Sequence, residues 1–307
     1  MTEPTRRDLE LGLLGTGVAV VAWGSSGVIV KAIDLGALSI GFWRFLTYAL
    51  ILAVWMRWRS TPVTPATLRA SFAGGVSLGV DVVLFFTAVK LTNVVNATTI
   101  GALQPLVVAV FAAKLFGERI RGRDIAAAAV AIVAVVVIVV ESSGTPEWNG
   151  WGDLAAVGAL FAWSGYFIFS KRSRGTLTSQ EYTVGTAVWT GLICLGTGLV
   201  VGQDMSFPAA DQWVPLLGLT LGAGLLGHTV MNWSLVRVPL WLGSTLTLLI
   251  PVVSSLAAWI FLDEPLTAVQ IAAICVVIAS LATIVATQPT PEPVRAPQAP
   301  AVAPEHP

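Results

Sequence analysis

The chain has 307 residues, of which 55% are hydrophobic and only 11% charged, with a mean hydropathy of +0.81. A soluble enzyme shows one apolar face per element and cannot hide this much apolar surface, whereas a bilayer solvates it, so the composition defines an integral membrane protein. Lys and Arg number 17 against 17 Asp and Glu, and no basic run suits a nucleic acid.

A hydrocarbon core about 30 Å thick takes ~20 apolar residues per helix. Cutting the chain at its charged and Pro/Gly/Asn-rich breaks predicts ten spans near 11–32, 36–56, 67–89, 93–115, 124–140, 152–170, 180–201, 211–235, 239–261 and 267–286. Arg6 and Arg7 mimic the basic start of a signal peptide. The apolar run from Leu11 to Val30 is too long for one and lacks a small-residue cleavage site, so it reads as the first span. Cys194 and Cys275 fall inside apolar segments without metal spacing, and neither a disulfide nor a metal site is expected.

The cations order the topology. With the N-terminus in the cytoplasm, 14 of the 17 Lys and Arg fall in cytoplasmic segments, from Arg6 and Arg57 through Arg119, Lys171 and Arg237 to Arg295. Lys31 and Lys90 lie on the other side and Arg44 lies within a span, which satisfies the positive-inside rule. The opposite loops are acidic, with Glu141, Glu147, Asp204, Asp211, Asp263 and Glu264. These placements predict a multi-pass protein of the cytoplasmic (inner) membrane with both termini inside. The segment from Gln288 to Pro307 holds seven prolines and no apolar periodicity, and is expected to be a disordered cytoplasmic tail.

The sequence repeats internally. A shift of 140 lays Ala22-Trp23 on Ala162-Trp163, Lys31 on Lys171 and Ser39 on Ser179, while a shift of 146 lays Pro105 on Pro251 and Glu118 on Glu264. Each half has five spans. Because five is odd, the second copy enters the membrane from the opposite side, and the fold class is an all-α polytopic membrane protein built as two inverted five-helix repeats. The expected division is a cytoplasmic N-terminus over 1–10, a first repeat over 11–140, an outer loop over 141–151, a second repeat over 152–286 and the tail over 287–307.

Ala22-Trp23-Gly24-Ser25 with Lys31 and Arg44, followed by Gln104-Pro105 and Leu115-Phe116-Gly117-Glu118-Arg119, resembles the EamA-type transporters of the drug/metabolite transporter superfamily. Trp163, Pro251 and Leu262-Asp263-Glu264-Pro265-Leu266 repeat the resemblance in the second half, with Val184 standing where a counterpart of Arg44 would fall. The resemblance implies secondary export of small metabolites, amino acids or drugs by alternating access, with no cofactor.

Asp81 is the one acid deep in a span, on a face with Gly74, Ser77, Phe85 and Ala88. An ionisable group at the helix centre costs at least about 2.5 kcal/mol, so it faces the bundle interior or water. Two roles are open to it: a protonatable coupling or substrate site, or an ion pair with Arg44, which counting along spans two and three places at similar depth. Arg44 could equally hold a substrate carboxylate. His228 lies near the pseudo-symmetric place of Asp81 and shares a polar face with Asn232; it is either a switchable charge or a hydrogen-bonded packing residue. Trp23 and Trp163 fall near the midplane, where Trp is uncommon, and with Tyr166 and Phe167 could form an aromatic wall for cargo or simply pack.

Asn96 and Gln104 add polar groups to the fourth span, and Thr99 lies between them. Pro105 interrupts that span as Pro251 interrupts the ninth, and paired breaks in corresponding spans point to a central site. The expected substrate contacts are therefore Trp23, Trp163, Tyr166, Asn96 and Gln104, the coupling or gating residues Asp81, Arg44 and His228, and the hinges Pro105 and Pro251. Glu118 and Glu264 are expected to anchor helix ends, Glu118 beside Arg119, Arg121 and Arg123, Glu264 without a partner in its loop.

Other classes fit less well. A facilitative, channel-like carrier without ion coupling needs no different fold, but no charged ring or repeated carbonyl filter is present. Gly24-Ser25-Ser26-Gly27 spells the G-x-S-G of intramembrane serine proteases with His228 as base, yet Ser26 belongs to the outer half and His228 to the inner. With no ATP-binding motif, the energy comes from a gradient, protons among the candidates, or from the cargo itself. A single chain supplies both halves, so a monomer suffices, with the lipid bilayer and a small-molecule substrate as its partners.

Overall fold

The computed structural model describes residues 6–92, 94–144 and 149–288; Glu147, Arg295 and the proline-rich segment from 289 onward lie outside them. The described chain forms ten helices long and apolar enough to cross a bilayer: span 1 (Arg6–Val30), span 2 (Ala37–Trp58), span 3 (Pro65–Leu91), span 4 (Val94–Phe116), span 5 (Gly122–Ser143), span 6 (Gly150–Arg172), span 7 (Ser179–Val200), span 8 (Ala210–Leu235), span 9 (Leu240–Leu262) and span 10 (Ala268–Ala286). Ten were expected, with close boundaries. Span 1 starts earlier than its apolar run because Arg6 Nε meets Glu10 Oε1 at 3.0 Å one turn on, which supports a polar first turn.

Helix ends follow local chemistry. Thr64, Thr178 and Thr267 close capping boxes at the starts of spans 3, 7 and 10, each accepting from the backbone N–H three residues on. Spans 4 and 9 end alike, on Gly117 (φ 65) and Asp263 (φ 55) in the left-handed region. The next amide then folds back, Glu118 N onto Ala112 O at 3.2 Å and Glu264 N onto Ala258 O at 3.3 Å. This matched turn is the repeat expressed in backbone geometry.

Lipid tails supply no hydrophobic drive between helices, so the bundle is held by close packing. Span 3 runs along spans 6 and 7, span 2 along span 7, span 5 along span 10, and span 1 against spans 8 and 9. A Cβ on Gly75 would lie 2.5 Å from Trp189 Cβ, so glycine is what allows spans 3 and 7 to approach. Large apolar residues such as Val200 and Val133 face outward, as a lipid-facing surface requires.

Two departures from plain α-helix position the centre. Spans 4 and 9 are each broken near the middle, into Val94–Gly101 and Gln104–Phe116 and into Leu240–Leu246 and Leu249–Leu262, with Pro105 and Pro251 in the first turn after the break. Span 8 is π-helical over Thr220–His228, a local underwinding often found at functional sites. The sequence carried no sign of it. We call the end of the bundle where span 1 starts the basic end and the other the acidic end, after their loops.

Candidate functional site

A cavity of about 560 Å³ lies between the two repeats. Its floor is formed at the breaks of spans 4 and 9 by Gln104, Pro105, Thr247 and Pro251, and it extends to Val30 and Leu35 at the acidic end. Its walls are mostly apolar, with Phe85, Phe86 and Trp163, and the polar side chains set into them are Arg44, Asp81, Thr98, Gln104 and Thr247. At the floor Thr247 Oγ1 donates to Gln104 Oε1 at 3.3 Å, joining the two breaks across the repeat interface. Gln104 Nε2 is buried and has no hydrogen-bond partner among the described residues.

Asp81 and Arg44 both reach this cavity. They do not pair: among the described residues no carboxylate lies within 4.0 Å of the Arg44 guanidinium. Of the two roles left open for Asp81, the ion pair with Arg44 is therefore not formed. Equal depth along two helices does not fix their rotation, and Arg44 turns instead to span 8, where its Nη2 lies 3.2 Å from His228 Nε2.

That contact sets the histidine. A guanidinium can only donate, so Nε2 accepts and the ring proton sits on Nδ1, which donates to Tyr166 Oη at 3.2 Å. Tyr166 Oη also accepts from Asn232 Nδ2 at 2.8 Å; Asn232 Nδ2 reaches Thr183 Oγ1 at 2.9 Å, and Asn232 Oδ1 accepts from Ser170 Oγ at 2.7 Å. His228 is 4% exposed and lies outside the cavity wall. The His228 and Asn232 face expected from the sequence exists as the centre of a network linking spans 2, 6, 7 and 8.

Of the proposed aromatic wall, Trp163 lines the cavity. Its ring stacks on Tyr166 at 5.5 Å, and Trp23 meets it edge-on at 5.4 Å from behind. Trp23 is fixed there by Nε1 donating to Ala223 O at 3.0 Å. Tyr166 and Phe167 are fully buried and do not reach the cavity. Asn96 does not reach it either: it is 3% exposed and donates to Asp153 Oδ1 at 2.9 Å, while its neighbours Ala97 and Thr98 line the wall. A half-turn of phase on the first part of span 4 separates the two outcomes. Ser26, the serine of the protease-like pattern, donates to Trp23 O at 2.6 Å, whereas His228 is engaged by Arg44 and Tyr166.

The sequence reading missed the partners of the two terminal glutamates. Glu118 does not use Arg119, Arg121 or Arg123; Arg121 and Arg123 instead reach the carbonyl of Thr287. Glu118 Oε1 receives Lys171 Nζ at 2.9 Å, and the backbone amides of Leu240 and Trp241 donate to the same carboxylate at 2.7 and 3.1 Å. Lys171 also donates to Val238 O at 2.9 Å. Beside this network Arg174 bonds the Val236 carbonyl, and burial together with the Arg237 guanidinium lowers its pKa from the ordinary arginine value. These bonds tie the ends of spans 4 and 6 to the start of span 9 at the basic end. Glu264, expected to lack a loop partner, pairs with Lys31 at 2.5 Å on the acidic end. The signal available was the coincidence of the two repeat shifts, one relating the lysines and the other the glutamates.

Ten spans in two inverted halves around a central cavity with a few buried polar groups define a membrane transporter of the alternating-access type. The EamA-like transporter family model matches residues 10–140 and again 150–286, and the chain belongs to that family. It is 27% identical over 290 residues to a probable amino-acid metabolite efflux pump of Salmonella typhimurium, covering 90% of this chain and 94% of that protein. A protein of the same name from Escherichia coli is 24% identical over 279 residues, 87% of this chain and 90% of its own length. The aromatic amino acid exporter YddG of Ancylobacter novellus is 29% identical over 157 residues, about half of each chain at 49% and 52%. A crystal structure of a protein 20% identical in sequence superposes with a TM-score of 0.78, covering 90% of this chain and 97% of that one, and shares the fold.

Proposed function

We propose that this transporter exports amino-acid-like metabolites from the cytoplasm, binding them in the central cavity with Arg44 and Asp81 as the two charged contacts. The observation that carries the reading is that a guanidinium and a carboxylate line one apolar cavity without neutralising each other. A zwitterion supplies the complement of both, its carboxylate for the planar donors of Arg44 and its ammonium for Asp81. The cavity volume of about 560 Å³ suits a single amino acid with a large side chain. Trp163 offers a face for an aromatic or apolar side chain, and Gln104 a buried polar contact at the floor. The names of the relatives point to the same cargo class.

The basic end is cytoplasmic in this reading, because that is where the cations gather, and the membrane is the inner one. The repeats run over 11–140 and 152–286, flanked by the cytoplasmic 1–10 and 287–307. A single chain carries the whole pathway, so a monomer transports. Protons are the coupling ion, with Asp81 as the group that exchanges proton for cargo; Arg44, steadied by His228, holds its charge throughout. Pro105 and Pro251 serve as hinges between the half-spans.

The test is uptake into proteoliposomes of a panel of amino acids and organic cations, with and without an imposed pH gradient. Saturable uptake of zwitterions that rises with the gradient is the expected result. Saturable uptake indifferent to the gradient removes the proton coupling and leaves a facilitator, and uptake confined to organic cations removes the zwitterion reading.

A further inference from the structure

We infer that Lys31 and Glu264 form the latch of the acidic end, that Lys171 and Glu118 form the latch of the basic end, and that each transport cycle exchanges one assembled latch for the other. The inference rests on the alternating-access reading and goes beyond it by assigning the gates to four residues.

The first support is symmetry. Each latch joins the end of the first span of one repeat to the end of the fourth span of the other: Lys31 to Glu264 and Lys171 to Glu118. Both glutamates directly follow the left-handed turns at Gly117 and Asp263. The inverted repeat sends the two pairs to opposite ends of the bundle.

The second support is that the latches are in different states. Lys171 and Glu118 are 9% and 12% exposed, and the Glu118 carboxylate takes three donors, two of them the Leu240 and Trp241 amides at the start of span 9. Lys31 and Glu264 are 60% and 54% exposed, and among the described residues Glu264 takes only Lys31. Moving Leu240 and Trp241 back by the repeat shift gives Val94 and Val95, at the start of span 4. The acidic-end latch therefore lacks the contact that completes its mate, and it is at this end that the cavity extends outward.

A buried ion pair holds only when further hydrogen bonds satisfy its remaining lone pairs, and an exposed pair contributes little. Docking of the adjoining half-span is thus what turns each pair from a weak surface contact into a lock. Closing the acidic end brings the Val94 and Val95 amides onto Glu264 and buries Lys31. At the basic end, Leu240 and Trp241 leave Glu118, and Lys171 and Glu118 become hydrated.

The experiment uses the full chain in liposomes with Cys194 and Cys275 replaced by alanine and Thr98, a cavity-wall residue, replaced by cysteine. A membrane-impermeant maleimide added on the acidic-end side then reports how often the cavity is open there. Glu118→Gln is expected to slow labelling about threefold or more by releasing the basic end, and Glu264→Gln to speed it, with transport falling in both. Opposite signs are the signature, since loss of fold would move both variants the same way. As a folding-safe control on the exposed pair, Lys31→Glu and Glu264→Lys each lower transport and their combination restores it. Labelling that is unchanged, or moves in one direction in both variants, overturns the latch assignment even if amino-acid transport is intact. Opposite labelling shifts sustain it even if no panel solute is carried, in which case the cargo reading alone fails.

Discussion

Arg44 Nη2 lies 3.2 Å from His228 Nε2, and the imidazole is held as a neutral acceptor by a cation that has no carboxylate within 4.0 Å among the described residues. Of the two roles left open for His228, a switchable charge or a hydrogen-bonded packing residue, these contacts describe the second without testing the first. His228→Gln keeps an acceptor for Arg44 and is expected to fold and transport, whereas His228→Leu strands a buried donor and loses about 1–3 kcal/mol of stability. Thermal unfolding in detergent separates the two; equal melting temperatures would show that the contact contributes nothing.

Asp81 faces the cavity without an ion-pair partner among the described residues. Asp81→Asn removes a costly charge from the membrane interior and is expected to leave thermal stability equal or higher while lowering zwitterion transport about tenfold or more. A drop in stability of the size expected for a broken ion pair would count against the site assignment.

Trp163 and Trp23 touch each other but only Trp163 meets the cavity. Trp163→Ala is expected to raise the KM for an aromatic amino acid about three- to tenfold, the worth of one ring contact. Trp23→Phe loses the bond to the Ala223 carbonyl, and should lower stability by about 1 kcal/mol with KM little changed. Kinetics for the two variants that changed together would mean that the aromatic pair acts as one binding surface.

A Cβ on Gly227 would lie 2.5 Å from Trp23 Nε1. Gly227→Ala must push the indole off its place against Ala223, and is expected to cost about 1–3 kcal/mol and to alter tryptophan fluorescence. An unchanged spectrum would show that the π-helical stretch of span 8 absorbs the extra methyl.

The spans and the inverted repeat were legible because hydropathy, cation placement and two copies of a short pattern each report on membrane crossing. Partners were not. Glu264 and Lys31 are 233 residues apart, and a hydropathy profile carries no rotation about a helix axis. That is why depth counting placed Asp81 beside Arg44, and why Asn96 was expected in the cavity where Thr98 stands instead. The two helix breaks were visible in Pro105 and Pro251, since proline removes an amide from the ladder wherever it sits. The π-helical Thr220–His228 segment left no such mark, because its glycines and leucines suit either winding.

The turn that ends spans 4 and 9 uses different residues for one conformation. Gly117 adopts φ 65 without strain, while Asp263 holds φ 55 with a Cβ, at a cost of about 1 kcal/mol. Asp263→Gly is therefore expected to raise the melting temperature by a few degrees, giving a sturdier protein for crystallisation with the turn before Glu264 kept. A duplicated fold keeps the strain-free solution on record in its other half, and each copy can be used as a repair manual for its twin.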